Sequence, residues 1–144
     1  MFDIYLTHKK VDEPDVKAVY GRICVGEYFE TFTASLVFWS HEQYKKQWRT
    51  ALRKIVDGES RSALITSFAE PKEGEFLFWW PLYREGEIVY VQNQILLFEN
   101  LSVPFVIERP WDSVQERQIM NAEGRKVSEW AITVQDIKEW FERG

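Results

Sequence analysis

Residues 76–94, FLFWWPLYREGEIVYVQNQ, place two aromatic-loaded runs on either side of a short polar turn. Runs of aromatic and β-branched residues flanking a Glu-Gly pair predict a β-hairpin. With Glu85-Gly86 as a two-residue loop, Arg84 faces Glu87 and Trp80 faces Val91. Side chains alternate across a strand. One face then holds Phe76, Phe78, Trp80, Leu82, Val89, Val91 and Ile95, which reads as core. The other holds Leu77, Trp79, Pro81, Tyr83, Ile88, Tyr90, Gln92 and Gln94, aromatic but mixed with amides and phenols. Pro81 belongs where no ladder donor is needed. The mixed face has three readings: core beneath a helix, a nucleic-acid platform, or a docking surface for another protein.

The chain has 144 residues, enough for one domain spanning 1–144 that buries roughly two-thirds of its unfolded surface without a metal or disulfide. Cys24 is the only cysteine, which fits a reducing compartment. The opening MFDIYLTHKK lacks the basic-then-apolar pattern of a secretory signal, so the cytoplasm is the expected location. No apolar run approaches the ~20 residues that span a bilayer. Charge is uneven: residues 1–72 carry a net +1 and residues 73–144 a net −6. An acidic half repels phosphate and attracts basic proteins.

The remaining elements follow from pattern. Residues 2–6 are weakly β; VYGRICV (19–25) and YFETFTASL (28–36) form a hairpin around Gly26. Ser40 with Gln43 is a capping box, and Tyr44, Trp48, Ala51, Leu52 and Ile55 mark one buried helical face ending near Gly58. The opposite face carries Lys45, Lys46, Arg49, Arg53 and Lys54. SALITSF (62–68) is a strand and EPKEGE (70–75) a turn. Residues 113–120 and 125–132 suggest another strand pair joined around 121–124. Thr133 with Asp136 starts a second helix with Val134, Ile137, Trp140 and Phe141 as its apolar stripe. Residues 102–110 fit either a helical turn or an irregular edge. Short turns join most strands, which predicts an α+β fold on antiparallel sheets, in the order strands, helix, strands, helix.

Chemistry is sparse. His8, His41 and Cys24 have no spacing that makes a nucleophile and base or a metal cluster. Cys24 reads as an inert buried thiol and His41 as a solvated histidine. No glycine-rich phosphate loop occurs. Carboxylate pairs such as Glu85/Glu87 and Glu73/Glu75 sit at turns, where solvated charge is the ordinary explanation. The reading is of a protein that is not an enzyme and needs no cofactor. A basic helix and an aromatic hairpin are ingredients of single-strand binding, yet the acidic whole opposes it.

YKKQW followed by Leu52, SALITSFAEP, FLFWWPLYREGEIVYVQNQILLFE and KVSEW, in this order, resemble the immunity proteins of bacterial contact-dependent growth inhibition, the CdiI family. The likeness runs from about Val37 to Trp140, and is to the branch that neutralises ribosomal-RNA-cleaving toxin tips. It implies a Whirly-like fold and a cytoplasmic inhibitor. That inhibitor binds the C-terminal nuclease domain of its cognate CdiA toxin, one to one, and covers its active site. Trp79, Tyr83, Tyr90 and Gln92 are the candidate anchors, and Glu85 and Glu87 the charges at the hairpin tip. Glu70, Glu73, Asp112 and Glu116 stand in reserve. The alternative is a single-stranded nucleic-acid binder on the same fold.

Overall fold

The computed structural model describes residues 1–68, 76–121 and 123–143. The first sheet is antiparallel and runs in chain order: β1 (Phe2–Lys10), β2 (Ala18–Val25) and β3 (Tyr28–Ser35). Its inner face is read directly from alternation. Phe2, Ile4 and Leu6 lie opposite Val25, Ile23 and Gly21, and β3 adds Tyr28, Glu30, Phe32 and Ala34 to the same side. Gly21 is needed there because a Cβ would collide with the Phe32 ring and stand 2.8 Å from Leu6 Cδ2.

Helix α1 (His41–Val56) begins with the expected capping box: Ser40 Oγ accepts from Gln43 N, and Gln43 Oε1 accepts from Ser40 N. Its buried residues are the five expected, Tyr44, Trp48, Ala51, Leu52 and Ile55. The second sheet has the order β4 (Arg61–Ser67), β5 (Phe76–Glu85), β6 (Ile88–Gln92) and β8 (Glu129–Thr133), while β7 (Gln94–Leu97) continues the line of β6 beside β5. Helix α2 (Val134–Glu142) follows, capped reciprocally by Thr133 and Asp136. The architecture is α+β with antiparallel sheets and two helices. The turn expected over 70–75 lies outside the described residues.

The hairpin loop is Gly86-Glu87, one residue later than expected: Glu85 pairs with Ile88 and Leu82 with Val91. Gly86 takes φ +64 at the first loop position while Glu87 keeps a negative φ, the arrangement in which glycine must come first. Gly26 does the same between β2 and β3. The register changes by two, so the two faces survive intact. The strand pair expected over 113–120 and 125–132 does not form. Among the described residues the Met120 to Lys126 bridge is what remains of it, and 129–133 pairs with β6 instead. Residues 114–118 lie over the second hairpin face, where side chains satisfy their carbonyls: Arg61 donates to Val114 O, Tyr83 to Gln115 O and Gln92 to Gln118 O. Residues 102–109 are irregular and lead into a 3-10 turn at Pro110–Ser113.

Hence the first hairpin face meets the first sheet and α1, and the second lies beneath the irregular chain. Trp80 meets Trp130 at 5.6 Å, and Trp130 stacks on Tyr28 at 4.3 Å, joining the sheets. β4 is an edge strand, and α1 seals it. Gln47 Nε2 donates to Ala63 O at 2.8 Å while its Oε1 accepts from Ile65 N at 2.9 Å, and Trp48 Nε1 donates to Ile65 O. A single amide thus mimics a neighbouring strand. Replacing it by Gln47→Ala strips an edge N–H and C=O of partners and should cost about 1–3 kcal/mol in urea unfolding. Gln47→Glu should also destabilise, because a carboxylate cannot donate to Ala63 O.

Candidate interaction surface

The second hairpin face proves to be an interior. Trp79 is 1% exposed, Tyr83 5% and Gln92 0%, so these three expected anchors are buried within the folded chain and out of a partner's reach. Two of the three polar ends are used internally: Tyr83 Oη donates to Gln115 O at 2.9 Å, and Gln92 Nε2 donates to Gln118 O at 3.0 Å and to Glu129 Oε2 at 2.7 Å, while the buried Trp79 Nε1 has no hydrogen-bond partner among the described residues. Tyr90 is half-buried, its ring covered by the Arg117 guanidinium at 3.7 Å. Arg117 also grips Glu129 through Nε and Nη2 at 2.9 and 2.6 Å, a two-point contact. These bonds hold the Glu129 carboxyl below its ordinary value, and the same pairing raises the Arg117 guanidinium.

The tip acids are placed otherwise. Glu85 and Glu87 are open to solvent, with side chains 63% and 79% exposed. Each touches an arginine: Glu87 lies 3.4 Å from Arg84 and Glu85 3.5 Å from Arg117. Arg84 in turn donates to Ile55 O at 2.6 Å and Val56 O at 3.3 Å, the last carbonyls of α1. A guanidinium there satisfies helix-end acceptors and complements the dipole. It docks the tip against the C-terminal end of α1, where Asp57 and Glu59 are exposed. Glu116 borders the same end beside Arg117. An acidic pole results, formed by the loop after α1, the hairpin tip and Glu116. Sequence reasoning did not join Asp57 and Glu59 to the tip, because it set Arg84 across from Glu87; in the structure Arg84 lies across from Val89 and reaches the end of α1. Asp112 is exposed but belongs to the 3-10 turn, paired with Arg109 at 3.6 Å. Glu70 and Glu73 lie outside the described residues.

The first face is not all core. Trp80, Leu82, Val89 and Val91 are buried, whereas Phe76 and Phe78 are each 44% exposed and Ile95 55%. The first sheet ends at β3, so the hairpin's far end extends past its cover. Cys24 is half-buried on β2. His41 is half-buried rather than fully solvated, stacked on His8 at 5.4 Å with Nε2 3.3 Å from Thr7 O. Among the described residues no group of three or more His, Cys, Asp or Glu could hold a metal, and no helix is long and apolar enough to cross a membrane.

The family model described as the CdiI N-terminal domain matches residues 34–140. The chain belongs to the CdiI family of immunity proteins. It is similar to Immunity protein CdiI of Enterobacter cloacae subsp. cloacae, 28% identical over 98% of this chain and 97% of that one. It also matches a chain in the solved CdiA-CT/CdiI toxin and immunity complex from Enterobacter cloacae. That match has a TM-score of 0.87 and 28% identity, and covers 99% of this chain and 97% of the other.

The Arg117 to Glu129 pair of this CdiI protein has a pH signature. Unfolded, Glu129 titrates at its ordinary value; folded, it titrates lower. The contribution is therefore complete above the ordinary value and is lost as pH falls through the folded one. Glu129→Gln should lower stability near neutrality and flatten the fall in melting temperature on acidification. A pH series of thermal melts from neutrality into the acid range reads both effects; equal acid slopes in wild type and variant count against the pairing.

Proposed function

We propose that this protein is a stoichiometric inhibitor, which binds the C-terminal nuclease domain of a cognate CdiA toxin one to one in the cytoplasm and blocks its active site. We propose further that the toxin cleaves ribosomal RNA. The reading rests above all on the chain-long likeness to an immunity protein and to a chain of a toxin and immunity complex. Physical chemistry supports the mode of action. A nuclease groove must attract phosphate, so an inhibitor closes it by presenting carboxylates where RNA would lie. The −6 of residues 73–144 supplies that field, and steering by it speeds encounter. An interface of ~1,200–2,000 Å² would suffice for tight binding if a few contacts are well buried. Glu85 and Glu87 remain the proposed charges of the tip, with Tyr90 offering only its uncovered rim.

The decisive experiment is co-purification with the cognate toxin domain, then ribosomal-RNA cleavage with and without this protein. Loss of cleavage at one equivalent is expected; undiminished cleavage at a large excess would sink the inhibitor reading. A gel shift with single-stranded RNA and DNA at physiological salt should show no retardation. Both tip acids make only exposed ion pairs, worth about 0–1 kcal/mol each. Glu85→Lys with Glu87→Lys should therefore leave the melting temperature nearly unchanged while weakening toxin binding and altering its salt dependence. Unchanged affinity removes the tip from the interface.

A further inference from the structure

Beyond the acidic pole, the opposite end of the hairpin carries a cleft of about 590 Å³ between β3 and the β5–β7 pair. Its floor is Phe78, Trp80 and Ile95; its walls include Glu30, Phe32 and Asn93. β3 is the last strand of its sheet, bonded to β2 along one side. Ser35 turns its N–H away from β2 to the Ser67 hydroxyl at 3.4 Å, while Leu36 N bonds back toward Lys17 O. By strand alternation, Thr31 and Thr33 present their main-chain N–H and C=O groups along the side that Ser35 marks, where the cleft lies. Among the described residues, no main-chain partner meets them there.

Three features therefore coincide among the described residues: a strand edge whose backbone groups have no main-chain partner, an apolar floor, and one charged wall residue, Glu30, with no cation lining the cleft. Glu30 accepts from Tyr28 Oη at 2.8 Å and from Asn93 Nδ2 at 3.3 Å, which fixes its carboxylate in the cleft wall. We infer that this cleft receives an extended segment of the toxin domain, pairing as a fourth strand with β3. An apolar side chain of that segment reaches Phe78 and Ile95, and a Lys or Arg meets Glu30. Main-chain pairing supplies affinity and the floor supplies selectivity, the general logic of strand addition. Charge selects the occupant: a carboxylate fixed in the wall favours a cationic partner segment, whereas the β3 edge of a second copy, YFETFTAS, has no Lys or Arg to meet Glu30. The inference rests on the proposed immunity function and specifies where the toxin is held.

Phe78→Lys and Ile95→Lys alter side chains already half in water, so both variants should fold; Val103→Lys, on the irregular chain over the other sheet face, is the control. Calorimetry with the cognate toxin domain should show Kd raised roughly 30-fold or more for the two cleft variants and unchanged for the control. Hydrogen exchange should show Thr31 and Thr33 amides protected only in the complex, and Glu30→Gln should reduce the salt dependence of binding. Wild-type binding with cleft variants within twofold of it, and no new amide protection, overturns the cleft while the immunity reading stands. Absence of wild-type binding overturns both. Sedimentation showing a free dimer that the cleft variants dissociate would assign the cleft to a second copy and overturn the toxin assignment.

Discussion

The pairing of β5 with the β6–β7 line runs in one register from Glu85 with Ile88 to Phe76 with Leu97. A slip of one residue would exchange its two faces. That exchange is forbidden here because the faces are built for different neighbours. One offers Trp80, Leu82, Val89 and Val91, smooth apolar surface for the first sheet and α1. The other offers Tyr83 and Gln92, whose polar ends reach the carbonyls of a chain segment with no strand partner of its own. A segment without a ladder is tolerated over a buried face only when side chains replace the ladder's donors. The hairpin therefore determines both sheet packing and the course of 114–118.

Two arginines link this frame to the acidic surface. Arg84 closes the C-terminal end of α1 and also meets Glu87; Arg117 covers Tyr90, clasps Glu129 and also meets Glu85. In each case the stronger bonds are the less exposed ones, and the tip acid is a peripheral partner. The carboxylates are thus steered into place without being neutralised deeply. That suits a charge meant to be met by another molecule: an acid fully clasped within the chain would have to break its bonds before it could pair elsewhere.

Much of the fold was legible because local signals agreed with one another. Both capping boxes, the five buried residues of α1 and the division of hairpin faces follow from spacing alone. The misreading of 113–120 has a plain cause. Ser113, Val114 and Gln115 look strand-like, but a strand needs a partner edge, and β6 offers its only free side to 129–133. The candidate site was less legible. Trp79, Tyr83 and Gln92 were expected at a surface because their side chains carry polar groups. Alternation gives a residue's face but not what covers that face, and here the cover is an irregular segment that periodicity cannot see. For the same reason Phe78 and Ile95 read as core: the pattern cannot show where an opposing sheet ends.

The end of that sheet leaves an apolar cleft open beside an unpaired strand edge. An unpaired strand edge is a template for unwanted association when it is flat and hydrophobic. β3 avoids this by giving its edge polar side chains, Thr31 and Thr33, and by placing Glu30 on the inner face toward the cleft. The apolar side chains of the floor, Phe78 and Ile95, belong to the other sheet and are 44% and 55% exposed. Polar edge and apolar floor therefore stand on different strands, on either side of one cleft. A generic strand would meet only the polar edge, and a generic apolar face only two half-exposed side chains. An extended segment that pairs its main chain at β3 and lays one apolar side chain on the floor meets both at once, so selection among partners comes from requiring the two together.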